Sequence, residues 1–331
     1  MDKGILLNNI PIEAFDGKSV LITGATGIVG THFLYAFYYM IEEGIDVQVT
    51  AIYASDIPIH LLELSRKKNF GFVKCDLSHI CAIPPLPVMD FVIHGANYGQ
   101  PYKFVNKAKA TISLNTTTLS YLLSVVLKPQ GSLLFISSSE VYSGLTNPPF
   151  VEENIGTTDP LHPRACYIES KRCGETIVNT YRNHGVNTKS VRLSLAYGEG
   201  TRENDHRVLN QFIQGAIING KIKLRDSGHA MRTYCYVGDA VNMMLTVMLR
   251  GKQPVYNIGG DITLSISMLA HLIGGIMDVT VIVPDDNDND GSPSVVMSSL
   301  RRYLHEFGKR DFLPMDEGIK RTIAFQKKLY R

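Results

Sequence analysis

The chain of 331 residues has no excess of either charge: 33 Lys and Arg stand against 31 Asp and Glu, leaving a formal net charge of +2. Such a protein lacks the basic field that grips a phosphate backbone through counterion release, so nucleic acid is not an expected partner. Long hydrophobic runs are missing as well. The amino terminus, MDKGILLNNIPIEAFDGKSV, breaks its apolar residues with acids and amides too often for a signal peptide, and no later stretch reaches the roughly 20 apolar residues that span a bilayer. A cytoplasmic protein with no membrane partner is expected. Cysteines are few and odd in number: Cys75, Cys81, Cys166, Cys173 and Cys235 form no CxxC pair, which argues for reduced thiols and against a structural metal. With 44% hydrophobic and 19% charged residues, and only 15 Pro and 28 Gly, the composition excludes a disordered, collagen-like or linker-dominated chain. What remains is a globular protein with a sizeable core, in two domains or one enlarged domain with a smaller partner.

What is there is a repeating pattern. KSVLITGATGIVG, from Lys18, is a β-branched apolar run entering a glycine-rich turn, and THFLYAFYYMIEEG continues it at helical spacing. VQVTAIYA, GFVKCDLS, FVIHGAN, GSLLFISSS and TKSVRLSLAYG follow, each a short apolar strand ending in small or polar residues, as in parallel sheets buried on both faces. Helical segments, notably ISLNTTTLSYLLSVVL and YIESKRCGETIVNTYRNHG, lie between them. This alternation predicts a doubly wound α/β domain of the Rossmann type over residues 1–198, rejoined by about 233–262. After Gly198 the alternation stops, and 199–331 is expected to form a smaller α/β substrate-binding lobe over the strand ends. The acidic run Asp285 to Asp290 reads as a solvated loop.

Gly24, Gly27 and Gly30 are spaced GxxGxxG between a strand and a helix. Glycine lets the chain turn sharply, admits a pyrophosphate to the backbone and lets helix approach strand, and the helix end adds free N–H groups and a positive dipole end. With Thr26, Ile28 and Val29 these glycines make a dinucleotide cradle. Asp56, closing the second strand, is the candidate partner of the adenosine ribose, although it also reads as a turn residue before Pro58. No arginine adjoins it to take a 2′-phosphate, which favours NAD over NADP. Asp76 and Leu77, ending the third strand, are placed to meet the adenine, with capping of the next turn as the alternative for Asp76.

Tyr167 and Lys171 are one helical turn apart on one face. An ammonium beside a phenol favours the phenolate, so the pair predicts a lowered tyrosine pKa and a base for oxidising an alcohol. Upstream, the strand ending in Ser137, Ser138, Ser139 and Glu140 brings hydroxyls and a carboxylate to the mouth of the sheet.

In this order the motifs TGATGIVG, HGAN, SSSEVYS, PRACYIESKRCGE, RLSLAYGEG, DHRVLNQFI and RTYCYVGDAV resemble the extended short-chain dehydrogenase/reductase family, the NAD-dependent epimerase/dehydratase group that acts on nucleotide-linked sugars. The resemblance covers nearly the whole chain. It implies NAD as cofactor, a nucleoside-diphosphate sugar as substrate, and a homodimer formed through the helices after Asn115 and after Tyr167. It also makes Ser138 the family's Ser/Thr, Tyr167 the base, Lys171 the residue that tunes it and binds the nicotinamide ribose, and Glu140 a proton carrier at C5. Arg232 resembles the arginine that contacts the substrate diphosphate, and Arg207 matches a second arginine of the substrate lobe; Ser139 and Ser194 line the same side. Guanidinium suits phosphate through its bidentate fork, with a surface or interdomain ion pair as the plainer role for each arginine. Asp239 is expected to be structural.

The segment PRACYIESKRCGE and the Ser-Glu pair resemble nucleotide-sugar glucuronate decarboxylases most. Dehydratases of the thymidine-diphosphate-glucose type carry an acid where this chain has Ser139, whereas Ser-Glu also occurs in GDP-mannose-type dehydratases. A 4-epimerase has no evident need of Glu140. Two departures concern the nucleotide: Ser194 stands where the family usually has asparagine, and GSPSVVM lacks the basic residue of the decarboxylases. A dinucleotide-binding sensor without chemistry is the alternative of another class, and the joint presence of Ser138, Tyr167 and Lys171 argues against it.

Overall fold

A computed structural model describes residues 1–203, 205–284, 295–309 and 311–330. Asp285 to Asp290 and the first four residues of GSPSVVM lie outside the described residues. Among those described, no helix is long and apolar enough to cross a membrane.

Seven parallel strands form the central sheet in the order β10-β6-β5-β4-β1-β2-β3. They are β1 (Lys18–Thr23), β2 (Val47–Tyr53), β3 (Phe70–Lys74), β4 (Met89–His94), β5 (Leu127–Ser138), β6 (Asn187–Leu193) and β10 (Val255–Ile258). Side chains alternate across a strand, so Val20 and Ile22 of β1 and Leu134 and Ile136 of β5 face one way, while Leu21, Leu133 and Phe135 face the other. The first face is covered by α2 (Ile28–Glu42) and by α8 (Val237–Arg250), which is buried along nearly its whole length. The second face takes α4 (Ala108–Asn115), α5 (Thr117–Tyr121) and α6 (Ala165–Asn183), through Leu114, Leu119 and Val178. Short α1 (Lys3–Leu6) and α3 (Pro101–Asn106) flank these layers, and α10 (Arg301–Phe307) packs Tyr303 into the first face.

The expected strand TKSVRLSLAYG is divided at Ser194. Its first part is β6, but β7 (Leu195–Tyr197) leaves the central sheet to pair with β9 (Met231–Tyr236). β9 also pairs antiparallel with β11 (Ile262–Ser265) and parallel with β13 (Val295–Val296). Beyond Gly198, where an α/β lobe is expected but no strand stands out in the sequence, there is also a pair of three-residue strands, β8 (Lys221–Lys223) and β12 (Thr280–Ile282). Strands this short have no period to read. With α7 (Val208–Asn219), α9 (Ile266–Met277) and α11 (Met315–Gln326) they enclose a core of their own, including Leu209, Phe212, Tyr234, Leu269 and Ile319.

A buried ion pair fixes α6 against the sheet. Glu175 accepts from Arg192 Nη2 of β6 at 2.8 Å and from Ser137 Oγ at 2.6 Å, with the two charged side chains 13% and 3% exposed. Arg192 Nη1 continues to Tyr142 Oη and Glu152 O, both at 2.9 Å. Removing one member of such a pair strands the other charge in the core. Glu175→Ala is therefore expected to cost about 3–5 kcal/mol in denaturant unfolding. The double change Glu175→Leu with Arg192→Met should recover much of that loss; a single variant as stable as the parent would show the pair to be dispensable.

Candidate active site

The glycine turn between β1 and α2 has the shape a diphosphate needs. Gly24 has φ +70°, and a Cβ there would lie 2.8 Å from Gly95 O; at Gly30 it would lie 2.4 Å from Gly24 O. Backbone blocks both positions, so only glycine closes the turn this tightly. Gly27 is the N-cap of α2 and supplies no capping side chain, which leaves the N–H groups of Ile28 and Val29 as the open end of a helix dipole. These residues fit the pyrophosphate of a dinucleotide.

Behind the turn, His94 locks β4 to β1. Leu114 O can only accept, so His94 Nε2 carries the proton at 2.9 Å, and Nδ1 accepts from Thr23 Oγ1 at 2.7 Å. Burial, opposed by the Leu114 bond and reinforced by Lys171, holds this imidazole neutral with a pKa of about 4. Thr23 Oγ1 in turn accepts from the N–H groups of Gly95 and Ala96, fixing the strand ends on either side of the cradle.

The carboxylates assigned to the adenosine half are engaged locally. Asp56 has a 98% exposed side chain and pairs with Lys74 Nζ at 3.1 Å. Asp76 takes the capping role: its Oδ1 accepts from Ser78 N at 3.0 Å and Ser78 Oγ at 2.7 Å. Leu77 is buried, and its carbonyl accepts from Thr118 Oγ1 at 2.6 Å. An arginine does adjoin Asp56, contrary to expectation: Arg202 Nη2 lies 3.5 Å from Asp56 O and 2.8 Å from Thr26 Oγ1. It is 146 residues away in sequence, which is why inspection of the neighbouring sequence missed it.

At the mouth of β5 four chemistry-bearing residues converge. Ser138 Oγ accepts from Glu140 N at 3.2 Å, and the Ser138 side chain interacts with the Tyr167 oxygen, pulling its pKa down against burial. The Tyr167 ring lies flat on Phe104, with centroids 4.5 Å apart. Lys171 Nζ donates to Ile136 O at 2.6 Å and sits 5.8 Å above the Tyr167 ring centroid. Glu140 Oε1 pairs with Arg164 Nη2 at 2.5 Å, and Arg164 Nε is buried without a hydrogen-bond partner among the described residues.

The electrostatics differ from the simple Tyr-Lys picture. Burial pushes the Tyr167 phenol up to about 12; the Ser138 bond and the Arg164 and Arg207 charges oppose this, and Glu140 adds to it. Burial likewise lowers the Lys171 ammonium to about 7, against the pull of Glu175. The phenol therefore holds its proton at neutral pH instead of being lowered as expected, because burial outweighs the cations around it.

The remaining assigned residues frame this cluster. Arg207 is forked onto Asp205, with Nη2 2.5 Å from Oδ2, and donates Nη1 to Ala196 O at 3.3 Å, so the fork is an internal ion pair here. Arg232, on β9, donates Nη1 to Met231 O at 2.8 Å. Ser139 is buried in the 3-10 turn after Ser138, and Ser194 Oγ is buried without a partner among the described residues. Asp239 pairs with Lys309 at 3.0 Å and accepts from Leu313 N, a structural tie. Besides Arg202, three residues were not among the expected site residues: Arg164, Phe104 and Asn115. Asn115 Nδ2 donates to Ser170 Oγ at 2.9 Å, and Ser170 Oγ to Tyr167 O at 3.0 Å, bracing the first turn of α6. Arg164 stands three residues before the tyrosine in PRACY, a signal that attention to the i, i+4 lysine alone passes over.

The chain is similar to proteins of known family and fold. The NAD dependent epimerase/dehydratase family matches residues 20–259. A curated relative, UDP-glucuronic acid decarboxylase 1 of Xenopus tropicalis, is 27% identical over 95% of this chain and 73% of its own length. The UDP-N-acetylglucosamine 4-epimerase of Methanobrevibacter ruminantium M1, solved in complex with UDP-N-acetylmuramic acid, superposes with a TM-score of 0.78 at 21% identity, covering 94% of this chain and 99% of that one. The dTDP-glucose 4,6-dehydratase of Streptomyces venezuelae, solved with NAD bound, gives a TM-score of 0.77 at 18% identity over 94% and 97% of the two chains.

Proposed function

The chain belongs to the NAD-dependent epimerase/dehydratase family, and from that premise we propose that it oxidises C4 of a nucleoside-diphosphate uronate and then releases carbon dioxide from C5. The observation that carries this reading is the Glu140–Arg164 pair set beside the Ser138–Tyr167 hydrogen bond. NAD, held by Gly24, Thr26, Gly27, Ile28, Val29, Gly30 and Lys171, supplies the hydride acceptor and donor when bound. Tyr167 takes the proton of the C4 hydroxyl, with Ser138 holding the same oxygen. A ketone at C4 stands β to the uronate carboxylate, so the electrons of the breaking C5–C6 bond run toward the ketone oxygen, where Tyr167 returns its proton. Glu140 relays a proton from water to C5, replacing the carbon dioxide that leaves. Arg164, with one arm on Glu140 and its Nε unpartnered, has a donor to spare for the substrate carboxylate. Arg207 and Arg232 are assigned to the diphosphate, and the chain is assigned to a homodimer formed through the segments after Asn115, which begin with α5, and after Tyr167 in α6, supported by exposed Val125 in the first of them.

The relatives named as UDP-glucuronic acid decarboxylases support this reading, as does Ser139, which offers no acid for a departing C6 oxygen. Glu140 also suits a second reading, dehydration with the carboxylate as the C5 base. The test is mass spectrometry of products from UDP-, GDP-, CDP- and dTDP-linked hexoses and uronates incubated with NAD. A product lighter by carbon dioxide is expected from a uronate. A product lighter by water would replace decarboxylation with dehydration, and one of unchanged mass would overturn both.

A further inference from the structure

The loop from β7 to α7 folds back over the glycine turn. Gly200, at φ +87°, is pressed onto the first turn of α2: a Cβ there would lie 3.2 Å from Thr31 Cγ2. The loop is anchored by Tyr236 Oη donating to Glu199 Oε2 at 2.7 Å and by Thr201 Oγ1 donating to Gly198 O at 2.9 Å. From this base Arg202 reaches across the cradle. Its Nη2 donates to Thr26 Oγ1 at 2.8 Å and Thr26 O at 3.1 Å, its Nε lies 3.4 Å from Thr26 O, and Nη2 touches Asp56 O at 3.5 Å.

Every one of those acceptors is neutral. Among the described residues no carboxylate lies within ion-pair distance of Arg202, because the nearby Asp56 carboxylate is turned to Lys74. Burial lowers the Arg202 guanidinium and the Asp56 charge acts on it only from a distance, so a part-buried guanidinium with no carboxylate in direct contact has room for an anion. It spans the gap between the glycine turn and the end of β2, where an α/β sheet of this kind receives the adenosine ribose and pyrophosphate of a dinucleotide.

We propose that Arg202 is a clasp for the cofactor diphosphate: it exchanges Thr26 for the bound anion and closes the Gly198–Arg202 loop over the adenosine half of the dinucleotide. A clasp has a purpose in a cycle that removes a hydride from a sugar carbon and later returns it, since the dinucleotide must not leave between the two events. That purpose rests on the proposed function; the binding role does not.

The test uses the full-length protein without any sugar. NAD, ADP-ribose, adenosine and NADP are titrated by calorimetry into the parent, Arg202→Gln and Arg202→Lys, and NAD release is timed against a trap. Arg202→Gln is expected to weaken NAD and ADP-ribose by roughly 10- to 100-fold, in line with one lost charge-assisted contact, and to speed NAD release. Adenosine, which has no phosphate, should bind all three proteins alike, and Arg202→Lys should recover part of the loss and of its salt dependence. Equal weakening of adenosine and ADP-ribose would reduce Arg202 to a structural tie of the loop. No change, or a loss confined to NADP, would equally overturn the clasp. Failure of every nucleotide sugar to react would leave these results standing.

Discussion

Tyr167→Phe is expected to lower turnover of the nucleotide sugar by roughly 10²–10⁴-fold, the range for removing a positioned proton carrier. The ring remains and still stacks on Phe104, and Lys171 keeps its bond to Ile136 O, so the variant loses the oxygen and little else. Dinucleotide binding should weaken by at most about tenfold, the worth of one hydrogen bond. The pH dependence gives a second readout. Burial raises the phenol to about 12, so it holds its proton across the neutral range, and a base is active only once that proton has gone. Turnover of the parent should therefore climb with pH on the alkaline side, and the residual rate of Tyr167→Phe should lose that climb. Turnover near the parental level, or an unchanged pH profile, would remove Tyr167 as the base.

What could be read from the sequence was local. The strand, glycine turn and helix around Gly24, Gly27 and Gly30 are contiguous, and the apolar runs of the parallel strands are buried on both faces, so composition and spacing reach them directly. Tyr167 and Lys171 share a helix, and the fixed period of the helix is enough to pair them. Where the reading went astray, folding had intervened. Arg202 reaches the glycine turn from 176 residues away, and no spacing rule connects the two. TKSVRLSLAYG runs as one apolar stretch, yet the chain changes sheets at Ser194, where Ser194 N bonds to Ile258 O and β7 goes on to β9. The tyrosine pKa was expected to follow the neighbouring ammonium, but burial lowers the Lys171 ammonium and raises the phenol together. One-dimensional spacing reports which groups are near each other and says little about how much water they have lost.

Glu140→Gln separates the two halves of the proposed reaction. The amide has the same shape and keeps an oxygen that accepts from Arg164 Nη2, as the carboxylate does at 2.5 Å, and Ser138 Oγ can still accept from the backbone N–H of residue 140. It cannot carry a proton. The first oxidation, which uses Tyr167 and Ser138, should proceed, so absorbance from the reduced dinucleotide should appear on adding the sugar and then persist. Final product should fall by roughly 10²–10⁴-fold, the scale of a lost acid or base. Solvent deuterium should cease to enter at C5, since the group that exchanges it is gone. Glu140→Ala checks against a merely structural effect: it breaks the Arg164 pair as well, so it should lose substrate affinity in addition to the later step, whereas the glutamine variant should leave KM near the parental value. If Glu140→Gln forms product at the normal rate, Glu140 has no part in the chemistry at C5. Its bond to Arg164 would then be a structural ion pair at the edge of the site, and the proposed decarboxylation would lose its proton donor.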